Sequence, residues 1–174
     1  MKKASTNKAH EALASFSLQQ TRDRLMPSNI GSTFTLITQN IDGLSQQALD
    51  RQSSRGGIVF NSENTSQPPL YEMHGRLFEV VCTNELCERV VFDTTSPLVP
   101  ALDSTEKDVD GNHIEKNIPL EELPRCSKCG SLARPGVVWF GEMPRHLDEI
   151  DDLVAKADLC LVIGTSSTVR SFHT

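Results

Sequence analysis

Phe34-Thr35-Leu36-Ile37-Thr38-Gln39-Asn40-Ile41-Asp42-Gly43 is the stretch on which the fold turns. Its first five residues are apolar or β-branched, the pattern of a short buried strand. After Thr38 the chain switches to amides, a carboxylate and a glycine, which predicts a turn, followed by a short helix over Leu44–Leu49. A second stretch has the same form: Leu159-Cys160-Leu161-Val162-Ile163 is fully apolar and runs into Gly164-Thr165-Ser166-Ser167. Leu77–Val81 predicts a further strand. Ala9, Leu13 and Phe16 recur at i, i+4 and i+7 behind a capping residue at Asn7, which predicts a helix over residues 8–25, ended by Pro27 and Gly31. Pro144 opens another helix, with Leu147, Ile150, Leu153, Val154 and Ala157 on its apolar face. Strands alternating with helices predict an α/β fold with a parallel sheet. Such sheets bind ligands at the carboxyl ends of their strands. The two polar strand ends, at Gln39–Gly43 and Gly164–Ser167, offer hydroxyls, amides and a carboxylate suited to ribose and phosphate.

The chain has 174 residues, 37% of them apolar and 23% charged, which excludes collagen-like, coiled-coil and wholly disordered classes. The net charge of −6 sits in one place. Residues 93–123 hold eight acidic residues and two lysines, so the remainder is neutral overall. The acidity therefore describes a solvated insert. It also weighs against a nucleic-acid binder that works by neutralising phosphates. No apolar run is long enough to span a bilayer, the N-terminus leads into no secretory apolar region, and no lipidation motif is present. Residues 51–69, rich in Ser, Asn, Gln and Gly, predict a surface loop.

Five cysteines, an odd number without a sign of export, argue against a disulfide framework. Four form two short-spaced pairs, Cys82-x4-Cys87 and Cys126-x2-Cys129. Such spacing lets two thiolates of one tight turn reach one metal ion, and the second pair completes a tetrahedron. Gly130 can supply the positive φ that a tight knuckle needs, and Arg125 and Lys128 would partly offset the charge of four thiolates on Zn²⁺. Four sulfurs leave no open position, so the site reads as structural; the alternative is two unrelated pairs of buried thiols. Cys160 reads as an inert core residue. No two of the ten glycines are spaced G-x-G, so the phosphate loop of a dinucleotide fold is not among these residues.

The motif series Thr38–Leu44, Met73-His74-Gly75, the two cysteine pairs, Val137-Val138-Trp139-Phe140-Gly141-Glu142 and Gly164-Thr165-Ser166-Ser167 resembles, in that order, the sirtuins. Arg134-Pro135, the Val-Val-Trp-Phe-Gly-Glu run and Leu159–Ser167 are most similar to the class III, desuccinylase-like branch, as is Asn7-Lys8-Ala9-His10. The resemblance implies an incomplete Rossmann-like parallel sheet with an inserted small zinc-binding module. Residues 1–75 and 133–174 would be parts of the NAD-binding domain, and residues 76–132 the zinc module with its acidic insert. It implies an NAD-dependent protein-lysine deacylase that transfers the acyl group to ADP-ribose, with NAD and one structural Zn²⁺. Gln39, Asn40 and Asp42 would line the nicotinamide-ribose pocket, and Gly164, Thr165 and Ser166 would contact ribose and phosphates. Val138, Trp139, Phe140, Gly141 and Glu142 would hold the acyl-lysine. Cys82, Cys87, Cys126 and Cys129 would hold zinc. His74, on its own a surface-loop histidine, becomes the general base, a task that suits an imidazole at neutral pH. Trp139 and Phe140, on their own core aromatics, become an apolar tunnel for the lysine methylenes.

The implied partner is an acylated lysine of a protein, with no direct nucleic-acid or membrane binding. Several features depart from the family. Ser45 stands where His is usual, four residues rather than two separate the first cysteine pair, and the Gly-Ala-Gly segment and the Tyr and Arg that read acidic acyl groups are not among these residues. The chain is accordingly expected to be truncated at both ends, with weak NAD binding and little turnover by itself. The competing readings are a catalytically dead, zinc-stabilised remnant acting as a binding module and an unrelated zinc-ribbon protein that binds nucleic acid.

Overall fold

The computed structural model describes residues 4–55, 70–103 and 117–164. The N-terminal part is a helical layer over a short parallel strand pair. Helix α1 (Lys8–Phe16) begins where expected. The Asn7 side chain accepts from the backbone of Ala9 at 3.0 Å and of His10 at 3.1 Å, which satisfies two of the helix's free donors. The helix does not run on to residue 25. Leu18 is extended, with ψ 128°, and a second helix, α2, spans Gln19–Leu25. The cause is Arg22, only 5% exposed. Its guanidinium takes the carbonyls of Phe16 and Ser17 that continued helix would have used, and reaches Ser32 O at 3.0 Å. It also lies 5.8 Å from the centre of the Phe34 ring.

Strand β1 (Leu36–Thr38) pairs in parallel with β2 (Leu70–Glu72), with Leu36 opposite Leu70 and Thr38 opposite Glu72. Helix α3 (Leu44–Arg55) lies between them in sequence, so the three make a β-α-β unit. The Asp42 carboxylate accepts from Leu44 N at 3.0 Å and starts this helix. The helix is longer than its apolar residues suggested, because it continues through polar residues to Arg55; the rest of the expected loop, residues 56–69, lies outside the described residues. Ala14 of α1 and Ala48 and Leu49 of α3 form the buried core, with Leu70 packed against it.

A second sheet, antiparallel and three-stranded in the order β4-β3-β5, follows. It comprises β3 (Gly75–Cys82), β4 (Val90–Phe92) and β5 (Ala133–Val137). The division expected around residues 76–132 falls between β3 and β5, which pair with each other. Their register shifts between Arg76 and Val80, so residues 77–79 bulge out of the β5 ladder, while Glu79 stays opposite Phe92 of β4. Helix α4 (Leu147–Lys156) follows Pro144, and its Ile150 is buried.

Leu159–Ile163, expected as a strand, is not one. It has no ladder partner among the described residues, and Leu159, Leu161, Val162 and Ile163 are each 64–71% exposed. An apolar run becomes a strand only when a neighbouring backbone takes its N–H and C=O groups, and the described residues provide none. Cys160 is likewise exposed rather than in a core. Among the described residues no helix is long and apolar enough to cross a membrane.

Candidate active site and metal centre

The turn between β2 and β3 carries Met73 and His74. Four backbone hydrogen bonds hold it. Met73 N donates to Thr38 O at 3.1 Å, Val138 N to His74 O at 2.9 Å, Arg145 N to Met73 O at 2.8 Å, and Leu77 N to Ile41 O at 2.8 Å. The last bond is available because Leu77 sits in the bulge, where its N–H is released from the ladder. Gly75 has φ +78°, and a Cβ there would come within 2.0 Å of Gly136 O, so no other residue fits between the turn and β5.

These bonds bring His74 to the turn at the end of β1. Its Nδ1 lies 3.1 Å from Gln39 O. A backbone carbonyl cannot donate, so the contact requires Nδ1–H, and in the neutral ring Nε2 keeps its lone pair. The ring is half-buried, while Gln39 and Asn40 are exposed beside it. Asn40 N bonds Thr38 Oγ1 at 3.1 Å, which closes the turn locally. The sequence-predicted residues Gln39, Asn40, Asp42 and His74 thus lie in one region.

Val138 joins them through its bond to His74 O. The following residues form a tight turn in which Glu142 N donates to Trp139 O at 2.9 Å and Gly141 takes φ +91°. The Glu142 carboxylate is engaged within the protein: Oε2 accepts from Trp139 N at 3.0 Å and Oε1 from Arg134 Nη2 at 2.8 Å. The Trp139 amide first, and then the Arg134 guanidinium, hold Glu142 below the usual carboxylate range. Trp139 and Phe140 project into solvent rather than into a core. Gly164 stands at the end of the unpaired 159–163 segment with φ +70°. Thr165 and Ser166 lie outside the described residues.

The four cysteines converge. Cys82 ends β3, and Cys87 follows in a turn closed by its N–H to Asn84 O at 2.9 Å. Cys126 and Cys129 sit in a knuckle closed by Cys126 N to Ser131 O at 2.7 Å and Gly130 N to Cys126 O at 2.8 Å, with Gly130 at φ +75° as its sequence position required. All four Sγ atoms lie within 4.8 Å of one another. Cys82 and Cys129 are 3.4 Å apart and Cys87 and Cys126 3.7 Å. A tetrahedron with Zn–S bonds of about 2.3 Å has S–S edges of about 3.8 Å, so the donor set fits one Zn²⁺. Burial pushes the metal-free Cys82 thiol up to about 12. The Ser131 hydroxyl and amide draw Cys129 down to about 6. Backbone N–H groups of Lys128 and Cys129 lower Cys126 as well. The knuckle amides therefore already favour thiolates before a metal arrives. The two flanking cations serve the loops: Lys128 Nζ reaches Cys87 O at 3.4 Å, and Arg125 Nη2 reaches Leu120 O at 3.0 Å.

A family model described as the Sir2 family matches residues 1–171. The chain belongs to the Sir2 family. It is 38% identical over 170 residues to the NAD-dependent protein deacylase sirtuin-5A, mitochondrial, of Xenopus laevis, covering 94% of this chain and 45% of that protein. It is 37% identical over 197 residues to an NAD-dependent protein deacylase of Candida albicans, covering 96% of this chain and 56% of that one. The chain thus spans about half the length of these curated relatives. Among solved structures, a mutant Sir2 homologue in complex with ADP-ribose is similar at 31% identity with a TM-score of 0.57, covering 97% of this chain and 48% of that one.

Two charged residues of the Sir2-family chain were not singled out in the sequence, Glu79 and Arg145. They meet at 2.8 Å beside the His74 turn. Neither lies in a short motif and they are far apart in the chain. The one local signal was glycine at positions 75 and 136, each of which makes room for the Arg145 side chain, with Arg145 atoms 3.1 Å from an added Cβ.

Proposed function

We propose that this chain carries the base-bearing half of an NAD-dependent protein-lysine deacylase, with His74 as the general base. The single observation behind this is the contact between His74 Nδ1 and Gln39 O, which leaves Nε2 as a proton acceptor beside the Gln39–Asp42 turn. Its family membership and the names of its relatives support the reaction class.

NAD, when bound, supplies an electrophilic ribose carbon that takes the acyl oxygen as nicotinamide leaves. With NAD bound, His74 Nε2 would accept the proton of a ribose hydroxyl and so ready that hydroxyl for the acyl carbon, by which the acyl group would pass to ADP-ribose. Gln39, Asn40 and Asp42 would hold the ribose, and Gly164, Thr165 and Ser166 would be its phosphate contacts. Val138 to Glu142 receive the acyl-lysine of a protein substrate: Trp139 and Phe140 offer apolar surface to the lysine methylenes, and Gly141 lets the peptide backbone approach. Cys82, Cys87, Cys126 and Cys129 hold Zn²⁺ and tie β3 to β5, which keeps the His74 turn and Val138 in contact.

Isothermal titration with NAD, paired with mass spectrometry of acyl-lysine peptides, tests this in the full gene product. Heat on NAD addition and NAD-dependent loss of the acyl group are expected. Zinc content with neither would refute the enzyme and leave a zinc-stabilised binding module.

A further inference from the structure

We propose that Arg145 is a positioning residue for the His74 base, clamping the turn that carries it. The consequence for catalysis rests on the deacylase reading; the clamp itself does not. Arg145 lies just ahead of α4, in a loop otherwise exposed at Met143 and His146. Its backbone N–H is one of the bonds on the turn, 2.8 Å from Met73 O. That bond needs the loop to stay in place, and the guanidinium holds it there. Nη1 donates to Glu79 Oε2 at 2.8 Å and Nη2 to Gly136 O at 2.7 Å. Glu79 comes from β3, which begins just after His74, and Gly136 from β5, whose end meets the turn, so one side chain bridges the two strands.

The surroundings are shaped for this group. An added Cβ at Gly75 would stand 3.1 Å from the guanidinium carbon, and one at Gly136 would stand 3.1 Å from Nη2. A Cβ at either position would press on the planar group and push it from its place against the turn. The carboxylate it meets is 17% exposed, so removing the guanidinium leaves Glu79 with Arg76 alone, 3.6 Å from its other oxygen. Arg76 is already committed to the buried Glu72, the residue two places before His74. The chain Glu72–Arg76–Glu79–Arg145 therefore runs from one side of the His74 turn to the other. Loss of Arg145 opens the side that carries the Met73 bond, and the ring loses the fixed geometry that holds Nδ1–H on Gln39 O.

Long-range ¹H–¹⁵N correlation spectra of the chain at pH 8.5, with His74 assigned by a His74→Asn variant, read the tautomer directly. The wild type is expected to show Nδ1–H. Arg145→Ala is expected to shift His74 toward a mixture containing Nε2–H while zinc content is unchanged. An unaltered Nδ1–H pattern would overturn the proposal. Should Arg145→Ala fail to fold, Arg145→Lys is read instead; it keeps the charge beside Glu79 but cannot also reach Gly136 O. A partial shift then supports the clamp and no shift overturns it. In the full gene product, Arg145→Ala should lower kcat on the order of tenfold with KM for NAD little changed, as for a misplaced base. A lowered affinity for NAD with kcat intact would contradict positioning. Absence of turnover in the wild type would refute the deacylase reading, and the tautomer result would still decide the clamp.

Discussion

Leu36–Thr38 and Leu159–Ile163 look alike as sequence, each a short apolar run leading into a polar turn. In the fold they part. The first is a parallel strand whose partner, β2, arrives from far along the chain, and its turn receives the His74 ring. The second has no partner among the described residues, and its apolar side chains stand in solvent. Apolar patterning states what a segment can bury. Whether it becomes a strand is decided by a backbone elsewhere that takes its hydrogen bonds. Stability and the candidate site should both concentrate in the region that found its partners.

Substitutions can break or sharpen that contrast. The largest effect is expected from Cys126→Ser, which removes one of four sulfurs joining β3 to the knuckle. Zinc content should fall to background and stability by on the order of 4 kcal/mol or more. An unchanged melt with full zinc content would show that the cysteines do not share an ion. Leu49→Ala comes next. Leu49 is 2% exposed in the α1–α3 core that packs on Leu70, so about 2–3 kcal/mol should be lost in denaturant titration. Leu161→Ser makes the opposite case: at 66% exposure it should move stability by no more than about 0.5 kcal/mol. A cost as large as that of Leu49→Ala would mean that the segment is packed after all.

A smaller, pH-dependent effect is expected at Glu142. Its carboxyl is held down in the folded chain, so its bonds to Trp139 N and Arg134 contribute above the ordinary carboxylate range and are lost as pH falls through it. Melting temperatures of the wild type and Glu142→Gln should therefore converge in acid and separate toward neutral pH. Curves that stay parallel would remove Glu142 as a brace of the 139–142 turn.

Features that depend on neighbours in sequence were legible before the fold. The Asn7 cap, the cysteine spacing, Gly130 in its knuckle and the β1 turn all depend on residues a few positions apart. What escaped depends on distant partners. Arg22 ends α1 by taking its carbonyls, yet a lone arginine in a helical pattern carries no sign of this. Arg145 meets Glu79 only when the chain brings together positions 66 residues apart. The 159–163 segment failed for the same reason in reverse: its pattern was right for a strand, and no described backbone pairs with it. For the candidate site, motif order pointed to His74 and the Gln39–Asp42 turn, whereas the 3.1 Å contact between His74 and Gln39 could be seen only in the fold.

The most direct measurement is NAD-dependent deacylation of an acyl-lysine peptide by the full gene product, wild type against His74→Ala, with circular dichroism and zinc content as controls. Turnover in the wild type and its loss in a folded, zinc-replete His74→Ala protein is the expected result. Turnover that survives the substitution would contradict the assignment of His74 as the base.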